Sequence, residues 1–470
     1  MKTFNRVFII LFFLILILPL VFFERDAGAV SALDNRALAQ APEARPGSAD
    51  FSEELENYLA DRCGFRETFI SAYSNMEALA FHELGHPLYE YGKDNEAFVV
   101  RISGYGDECS DYLAAFENMV IEMNRYLRER GVVFVFALDP SKSSVYEDCL
   151  PAGLSYRKKW REDMLARLRD AGVCCVDNTV TLEELRKNGI RPYNRLYDVG
   201  HWNDNGAFYG VNAIVQAFRD QGIMADLLSE DDFEMSVKTE EFLPTSDIRI
   251  NEDVPLYKPI LTSERVHPEL YGILRMAVAW REFDYKLRKD AREGDIKLLS
   301  FQGSYLNVPG RPIMERAFPE YISVHCYQNV MDMDYYLEIF QPDAVLFEMA
   351  DFTFEEIYFW RDKIENMSLA PLYRDLDAYE ERDGGRIELT IEAGEVFWEC
   401  LLRELPEGIS YAYISFDGKE ESFTDMHKEP YGFSYTRLAE EAPVQEGARL
   451  VLVNETEQIK LAYDCIFVYD

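Results

Sequence analysis

The five residues HELGH, His82–His86, have the types and spacing of a zinc site. On a continuous helix, H-E-x-x-H places two histidines one turn apart to bind Zn²⁺, with the glutamate as general base. Here Gly85 precedes His86 and Pro87 follows it, and a proline disfavours helical backbone in the residue before it. We therefore expect a helix C-terminal cap and no metal. A glutamate ligand further along the acidic chain keeps a zinc peptidase as an alternative.

The length, composition and charge of the chain limit the class of protein to which it can belong. The chain has 470 residues, of which 48% are hydrophobic, which is enough for two or three domains with apolar cores. It carries 85 acidic against 48 basic residues, a formal net charge of −37. A field of that sign repels nucleic acid, and no basic stripe offsets it. Nucleic-acid binding is therefore excluded.

The N-terminus resembles a membrane anchor. Lys2 and Arg6 precede an uncharged apolar run, Val7–Phe23, which is closed by Glu24–Asp26. The run is at the lower limit for a membrane span and is long for the core of a signal peptide. The basic residues before it predict a cytoplasmic N-terminus, with the body of the chain outside. A secreted form, cut within the small residues 27–32, is the alternative.

Between residues 107 and 368 the pattern alternates between strands and helices. Amphipathic helical patterns cover 107–131, 155–171 and 206–222, and short, largely apolar strands are predicted at 132–138, 172–177, 296–301, 321–326 and 344–349. Such alternation predicts a mostly parallel, doubly wound α/β sheet with helices on both faces. Residues 226–265 are acidic and irregular, and we expect an insertion that covers one face.

After about residue 369 the pattern changes to short strands separated by Gly, Asp and Pro turns. The segments RIELTIEA, ISYAYISF, ARLVLVNE and CIFVYD predict a small all-β domain, most simply a sandwich, over 369–470. Cys400 and Cys465 both lie in this segment and are the best candidates for a disulfide among the eight cysteines. Buried free thiols are the alternative.

Three polar segments follow or adjoin the predicted strands of the sheet. They are LDPSKSSVYEDCLP at 138–151, YDVGHWNDNGAF at 197–208 and FQGSYLN at 301–307. Open α/β sheets carry their working residues on loops at the carboxyl ends of the strands. These three segments are therefore the first candidates for an active site.

In their order along the chain, the three segments resemble the alginate O-acetyltransferase-like proteins and their DHHW relatives. Two flanking segments add to the resemblance, SALDNRALAQAP at 31–42 and FQPDAVLFEMADFTF at 340–354. The likeness implies an SGNH-hydrolase-like, flavodoxin-like doubly wound domain over 31–368, in which the Asp/His element precedes the serine. An anchor at 1–30 and the β domain at 369–470 would flank it.

The resemblance implies a catalytic triad whose parts also make physical sense. Ser304, after Gly303 on a strand-to-loop turn, is the candidate nucleophile. His201 would take the hydroxyl proton, and Asp198 would orient the imidazole and stabilise its charged form. Ordinary structural roles remain the alternative for each, since serine is common in turns and His201 could be a packing residue.

The resemblance also implies residues that line the substrate site: Lys142, Tyr146, Trp202 and Tyr305. Two departures from the family pattern are visible. Gln302 stands where a glycine is usual, and Asp198 lies three residues before His201, where the alginate-type members have two. No Gly-x-Asn-Asp segment identifies a complete oxyanion hole, although backbone N–H groups near Ser304 would form part of one.

The function implied is that of an extracytoplasmic, membrane-anchored O-acetyltransferase without metal or other cofactor. It would transfer acetyl groups to hydroxyls of a surface or secreted polysaccharide, supplied by a membrane-bound O-acyltransferase. The β domain would hold the glycan, with Tyr431, Phe433 and Tyr435 as surface aromatic candidates, and core packing is the alternative for each of them. A carbohydrate esterase and a non-catalytic glycan-binding or assembly protein are the alternatives, and a missing Ser304–His201 contact would favour the latter.

Overall fold

A computed structural model gives the fold of residues 2–470, apart from a set of positions outside its description. Those positions are 27, 32–35, 43–48, 67, 70–71, 74–75, 77–79, 81–83, 85–88, 100–109, 152, 157–158, 245–247, 272–273, 275–282, 326, 394–396, 403–404, 417–418, 426–431, 439–447 and 470. HELGH, apart from Leu84, and Tyr431 therefore lie outside the described residues. In the described part, no cluster of three or more His, Cys, Asp or Glu side chains could hold a metal ion.

Eleven α-helices are numbered here along the described chain. They are α1 Lys2–Val21, α2 Ala49–Arg62, α3 Ser110–Glu129, α4 Lys142–Val145, α5 Lys159–Asp170, α6 Asn178–Lys187, α7 Asp204–Asp220, α8 Ser304–Asn307, α9 Gly310–Ala317, α10 Met333–Phe340 and α11 Arg361–Glu365. The three long helices predicted between 107 and 222 correspond to α3, α5 and α7, within a few residues at each end.

The strands are numbered in the same way. They are β1 Val30–Ser31, β2 Arg36–Ala37, β3 Tyr89–Tyr91, β4 Ala97–Val99, β5 Val133–Asp139, β6 Cys174–Asp177, β7 Phe233–Phe242, β8 Arg249–Pro259, β9 Ser263–Arg265, β10 Phe283–Arg288, β11 Lys297–Gln302, β12 Glu320–His325, β13 Ala344–Ala350, β14 Glu380–Ala393, β15 Phe397–Leu402, β16 Tyr411–Phe416, β17 Lys419–Ser422, β18 Thr424–Asp425, β19 Phe433–Leu438, β20 Arg449–Asn454 and β21 Ile459–Tyr469.

The predicted α/β sheet is confirmed. Seven strands form it in the order β6-β5-β13-β11-β12-β10-β9. The first five are parallel to one another, β10 pairs antiparallel with β12, and the edge strand β9 pairs antiparallel with β10. The five parallel strands are the five that the apolar runs predicted, and their carboxyl ends meet at one edge of the sheet.

Strand β5 shows why its sequence is an almost continuous apolar run. Phe134, Phe136 and Leu138 pack into one core with α3 and α5, whereas Val135 and Ala137 pack into a second core with α6 and α7. A strand that is covered by helices on both sides has no solvent face, and therefore no polar positions in alternation. The sheet is doubly wound for this reason.

The acidic insertion at 226–265 is more regular than expected. Strands β7 and β8 pair antiparallel from Phe233↔Pro259 to Phe242↔Arg249 as a long two-stranded hairpin. Most side chains of β7 are exposed on both faces, so the segment has no apolar alternation to reveal a strand. The prediction of an irregular segment was wrong for this physical reason.

The C-terminal segment is β-rich, as predicted. Within the described residues its strands follow the order β17-β16-β20-β21-β14-β15-β19-β18. Only Phe423 separates β17 from β18 in the chain, although these strands end the order on opposite sides. The sheet therefore rolls over, and the ring of Phe423 lies 5.5 Å from that of Tyr435, between centroids, inside a shared core.

Two expectations for this segment were wrong. Phe433 and Tyr435 are not surface aromatics, since they are 7% and 2% exposed and pack in the core of the rolled sheet. Cys400 and Cys465 are both free thiols. They lie on β15 and β21, which flank β14 on its two sides and are not paired with each other. The alternative interpretation, that these cysteines are free thiols, is therefore the correct one.

The N-terminal apolar run forms α1, and many of its large apolar side chains are exposed, Phe8 and Phe13 among them. Among the helices as described, none is both long and apolar enough to cross a membrane. The anchor is therefore not confirmed by the structure.

Candidate active site

Asp198 and His201 face each other in the loop between α6 and α7. Asp198 Oδ1 lies 2.8 Å from His201 Nδ1, and both side chains are partly open to solvent, at 32% and 26% exposure. Burial is the largest influence on the His201 pKa and lowers it, but the charge and hydrogen bond of Asp198 outweigh burial and leave the pKa raised. With Nδ1 donating to Asp198, Nε2 is left as the acceptor that a general base needs.

Trp202 joins this loop to the segment that carries Ser304. Its indole Nε1 donates to the carbonyl of Tyr305 at 3.0 Å, and the His201 ring packs edge-on against the Tyr305 ring at 5.4 Å between centroids. A Cβ at Gly210 would lie 2.4 Å from the Trp202 ring, so a glycine on α7 leaves room for the indole. His201 therefore lies beside the residue that follows Ser304.

Ser304 is the first residue of α8 and directly follows β11 and Gly303. Its side chain is half-buried, as expected for a hydroxyl at a strand-to-helix turn. No hydrogen bond joins Ser304 to His201 within the described residues. Catalytic hydrogen bonds are often long before substrate binds, so this separation alone does not exclude a serine mechanism.

Gln302 has a structural role that accounts for its departure from the family pattern. It is fully buried, its amide donates to Asn307 Oδ1 at 2.7 Å, and its oxygen accepts from Ser300 at 3.0 Å. The first of these bonds ties the end of β11 to the far end of α8. The glutamine thus braces the turn on which Ser304 lies.

Lys142, which was predicted to line the substrate site, is buried, and its ammonium is bound by other groups of the protein. Its ammonium donates to Glu96 Oε2 at 2.8 Å and to the carbonyls of Asn194 and Arg195 at 2.8 and 2.9 Å. These contacts use all three N–H donors of a side chain that is only 2% exposed. Burial lowers its pKa to about 8 against the opposing charge of Glu96. The lysine holds the loop that precedes Asp198.

The other three residues predicted to touch substrate are also buried. Tyr146 and Trp202 are each 2% exposed, and Tyr305 is fully buried. Tyr146 packs below the Arg186 guanidinium, whereas Trp202 and Tyr305 pack on each other. A sequence segment can identify residues near a site, but it does not tell which side chains point into the protein.

A pair of buried carboxyl groups behind Ser304 was missed by the sequence reasoning. Asp139 ends β5 and Glu348 lies near the end of β13, and both are fully buried. Glu348 Oε2 accepts the N–H of Gly303 at 2.7 Å, and Asp139 Oδ1 accepts from Asn178 at 2.6 Å. Gly303 N–H is therefore occupied and is not a donor for an oxyanion hole.

The remaining oxygens of the two carboxyl groups, Asp139 Oδ2 and Glu348 Oε1, have no N–H or O–H donor from elsewhere in the described protein. Burial raises the pKa of Asp139 to about 7, and burial together with the Asp139 charge raises that of Glu348. We infer that, once Asp139 ionises near pH 7, one proton carried by Glu348 is shared between them. A glutamate inside the apolar run AVLFEM was the signal in the sequence.

The shared proton predicts different stabilities for two variants of Asp139. Asp139→Ala removes the acceptor of the Asn178 amide and the carboxyl group that faces Glu348, and we expect it to lower the free energy of unfolding by about 3–5 kcal/mol. Asp139→Asn keeps the acceptor for Asn178 and donates to Glu348, so its cost at pH 7 should be about 1 kcal/mol or less. Denaturant unfolding of both variants measures this. The exposed Asp170→Ala serves as control, with a change of about 0.5 kcal/mol or less.

The stability of the wild type and that of Asp139→Asn should depend differently on pH. A carboxyl group with a raised pKa contributes most to stability when protonated, below the ordinary pKa near 4, and loses that contribution as pH rises through about 7. Because asparagine does not titrate, Asp139→Asn should gain stability relative to the wild type between about pH 5 and pH 8. Equal, pH-independent losses in the Ala and Asn variants would contradict the shared proton.

Together these features define an SGNH-hydrolase-like α/β domain with an additional C-terminal β-rich domain. Residues 107–244 match the model of a family described as "SGNH hydrolase-like domain, acetyltransferase AlgX". The matched range contains Asp198 and His201 and ends before Ser304. The resemblance predicted from the motifs is therefore confirmed.

Several solved structures are similar to part of this chain. Bacillus cereus PatB1 is 17% identical, with 56% of this chain and 95% of that chain covered and a TM-score of 0.44. The O-acetyltransferase domain of Pseudomonas putida AlgJ is 16% identical, with 60% and 99% covered and a TM-score of 0.40. Pseudomonas aeruginosa AlgX is 13% identical, with 81% and 96% covered and a TM-score of 0.41. No curated protein matches the chain by sequence.

Proposed function

We propose that this protein is an extracytoplasmic O-acetyltransferase that acetylates hydroxyls of a cell-surface or secreted polysaccharide through an acyl-serine intermediate. The observation that carries the proposal is the 2.8 Å contact between Asp198 and His201, in a loop bonded through Trp202 to the segment of Ser304. The acetyltransferase description of the matching family supports the same reaction class.

The reaction takes two steps at one serine. Ser304 Oγ attacks the acetyl carbonyl of the donor while His201 Nε2 takes its proton, and that proton then leaves with the donor's alcohol or thiol. In the second step His201 takes the proton of an acceptor hydroxyl, which attacks the acetyl-serine; the acyl–oxygen bond to Ser304 breaks, and His201 returns the proton to Ser304 Oγ. Asp198 stabilises the imidazolium in both steps, which agrees with its effect on the His201 pKa.

The cellular setting belongs to the same proposal. The N-terminal helix would anchor the chain in a membrane with the active domain outside the cytoplasm, and a membrane-bound O-acyltransferase would supply acetyl groups. The C-terminal β domain would hold the polysaccharide. Exposed apolar side chains along α1 agree with an anchor.

A non-catalytic glycan-binding protein of the same fold is the second candidate. The specific observation in its favour is the missing hydrogen bond between Ser304 and His201 within the described residues. An esterase would use the same triad and differ only in accepting water in place of a sugar hydroxyl.

Acetyl transfer from a chromogenic acetyl ester to a panel of soluble polysaccharides separates these candidates. We expect the full chain in mild detergent to release the chromophore and to leave acetyl groups on one acceptor, with the rate rising with that acceptor. Release without transfer would indicate an esterase, and the absence of both with every acceptor would favour a binding protein. Sensitivity to a chelator and to His82→Ala would indicate a zinc peptidase-like site instead.

A further inference from the structure

The hairpin of β7 and β8 contacts the backbone directly before Asp198. The carboxylate of Glu252, on β8, accepts three consecutive backbone N–H groups: Arg195 at 2.5 Å, Leu196 at 2.8 Å and Tyr197 at 2.7 Å. Successive N–H groups that converge on one anion form a concave nest. One side chain of the insertion therefore fixes the course of three residues of the loop.

The opposite side of the same loop is held by the main domain. The carbonyl of Arg195 accepts from the N–H of Ala97 at 2.9 Å and from Lys142, which also binds the carbonyl of Asn194. The loop is thus bound through its carbonyls by the domain and through its N–H groups by Glu252.

Asp198 follows directly and has a left-handed backbone, with φ of 42°. Residues other than glycine seldom adopt this conformation, and it persists where the surroundings impose it. The conformation occurs at the residue that orients His201. Held in this way, Asp198 turns its carboxylate onto His201 Nδ1.

The hairpin also contacts the chain beyond His201. The backbone N–H of Tyr257 donates to Asp204 Oδ2 at 2.6 Å, at the start of α7, and its hydroxyl donates to Asn205 at 2.8 Å. Near the hairpin turn, Leu243 and Ile248 share a small apolar core with Leu196 and Val199. The hairpin therefore contacts the chain before, between and after Asp198 and His201.

We infer that Glu252 is a positioning residue, which fixes the backbone of residues 195–197 so that Asp198 stays on His201. Glu252 touches no reacting atom, and the hairpin acts on the chemistry only through the loop. Its effect on the reaction rate rests on the proposed function, whereas its effect on the Asp198–His201 contact does not.

Glu252→Gln tests this inference, with Asp253→Asn as matched control. Glutamine offers one acceptor oxygen in place of two and no charge, so at least one of the three bonds is lost. Asp253 is the next residue, is exposed, and bonds only within the hairpin among the contacts described, to Thr239 at 2.6 Å. The control therefore removes the same charge from the same strand without touching the loop.

The first readout is the titration of His201, followed by NMR on the full chain with ¹³C-labelled histidine. His201→Gln identifies its resonance among the six histidines. In Glu252→Gln the Asp198 contact weakens while burial persists, so the His201 pKa should fall below the wild-type value; Asp253→Asn should leave it unchanged. The nearby Tyr89, Tyr197 and Tyr305 have pKa values raised by burial and remain neutral throughout.

The second readout is the kinetics of acetyl release. Misplacing the base should lower kcat by about 10- to 100-fold in Glu252→Gln, with KM within about twofold, because no substrate contact changes. A wild-type His201 titration together with a wild-type kcat would overturn the inference. If Glu252→Gln fails to fold, Glu252→Asp, which keeps the charge with a shorter reach, must show the same lowered His201 pKa.

The two proposals fail in different ways. If no activity depends on Ser304 but Glu252→Gln still lowers the His201 pKa, the positioning role stands and the proposed function does not. If activity depends on Ser304 but Glu252→Gln leaves the His201 titration and kcat unchanged, the function stands and the positioning role does not.

Discussion

Replacing Ser304 by alanine is expected to lower the rate of acetyl release by about 10,000-fold or more, to the background given by binding alone. In the proposed reaction Ser304 supplies the atom that carries the acetyl group, so no neighbouring side chain would replace it. The substitution removes one oxygen from a half-buried side chain at the start of α8 and should leave the fold unchanged. Initial rates with a chromogenic acetyl ester measure the effect.

Ser155→Ala is the matched control for this loss. Ser155 is exposed and lies in the loop before α5. We expect this variant to keep the wild-type rate. A Ser304→Ala protein that retains more than about a tenth of the activity would contradict the nucleophilic role.

Lys142→Met is expected to lower the free energy of unfolding by about 2–4 kcal/mol. Methionine fills the volume of the lysine stem but leaves the carbonyls of Asn194 and Arg195 without their buried donor. Glu96 keeps a second partner, since Arg191 lies 2.6 Å from its carboxylate, and this limits the loss. Denaturant unfolding, followed by fluorescence, measures the change.

The same variant should also lose activity, because the carbonyls it releases belong to the loop that leads to Asp198. Lys187→Met is the control, since Lys187 is 75% exposed and its change in unfolding free energy should stay within about 0.5 kcal/mol. Full stability with reduced acceptor affinity in Lys142→Met would instead restore the substrate-binding role that the sequence suggested.

The sequence predicted those parts of the fold whose burial leaves a pattern. Strand β5 is apolar along its length because helices cover both of its faces, and α7 is amphipathic because one side packs on the sheet. Strand β7 is exposed on both faces along most of its length, so neither this strand nor its pairing with β8 has a comparable signal. The hairpin contacts the Asp198 loop through residues that are far from it in the sequence. Such contacts leave no pattern in a short stretch of sequence.

In the candidate site, the contact between Asp198 and His201 could be predicted from the sequence. Asp198 and His201 are three residues apart, and a single loop brings them to hydrogen-bonding distance. The burial of Lys142 could not be predicted, because position along a chain does not reveal whether a side chain faces solvent or the protein. The role of Glu252 could not be predicted, because nothing in the sequence distinguishes it from the other acidic residues among the 85 in the chain.

The most direct test of the account is covalent trapping of the nucleophile. The full chain would be treated with an aryl sulfonyl fluoride, whose sulfur is attacked by an activated serine Oγ with loss of fluoride, and its peptides mapped by mass spectrometry. We predict one stoichiometric adduct, on Ser304, that is strongly reduced in His201→Ala. Modification elsewhere, or an adduct on Ser304 that forms equally well without His201, would contradict a serine nucleophile activated by this histidine.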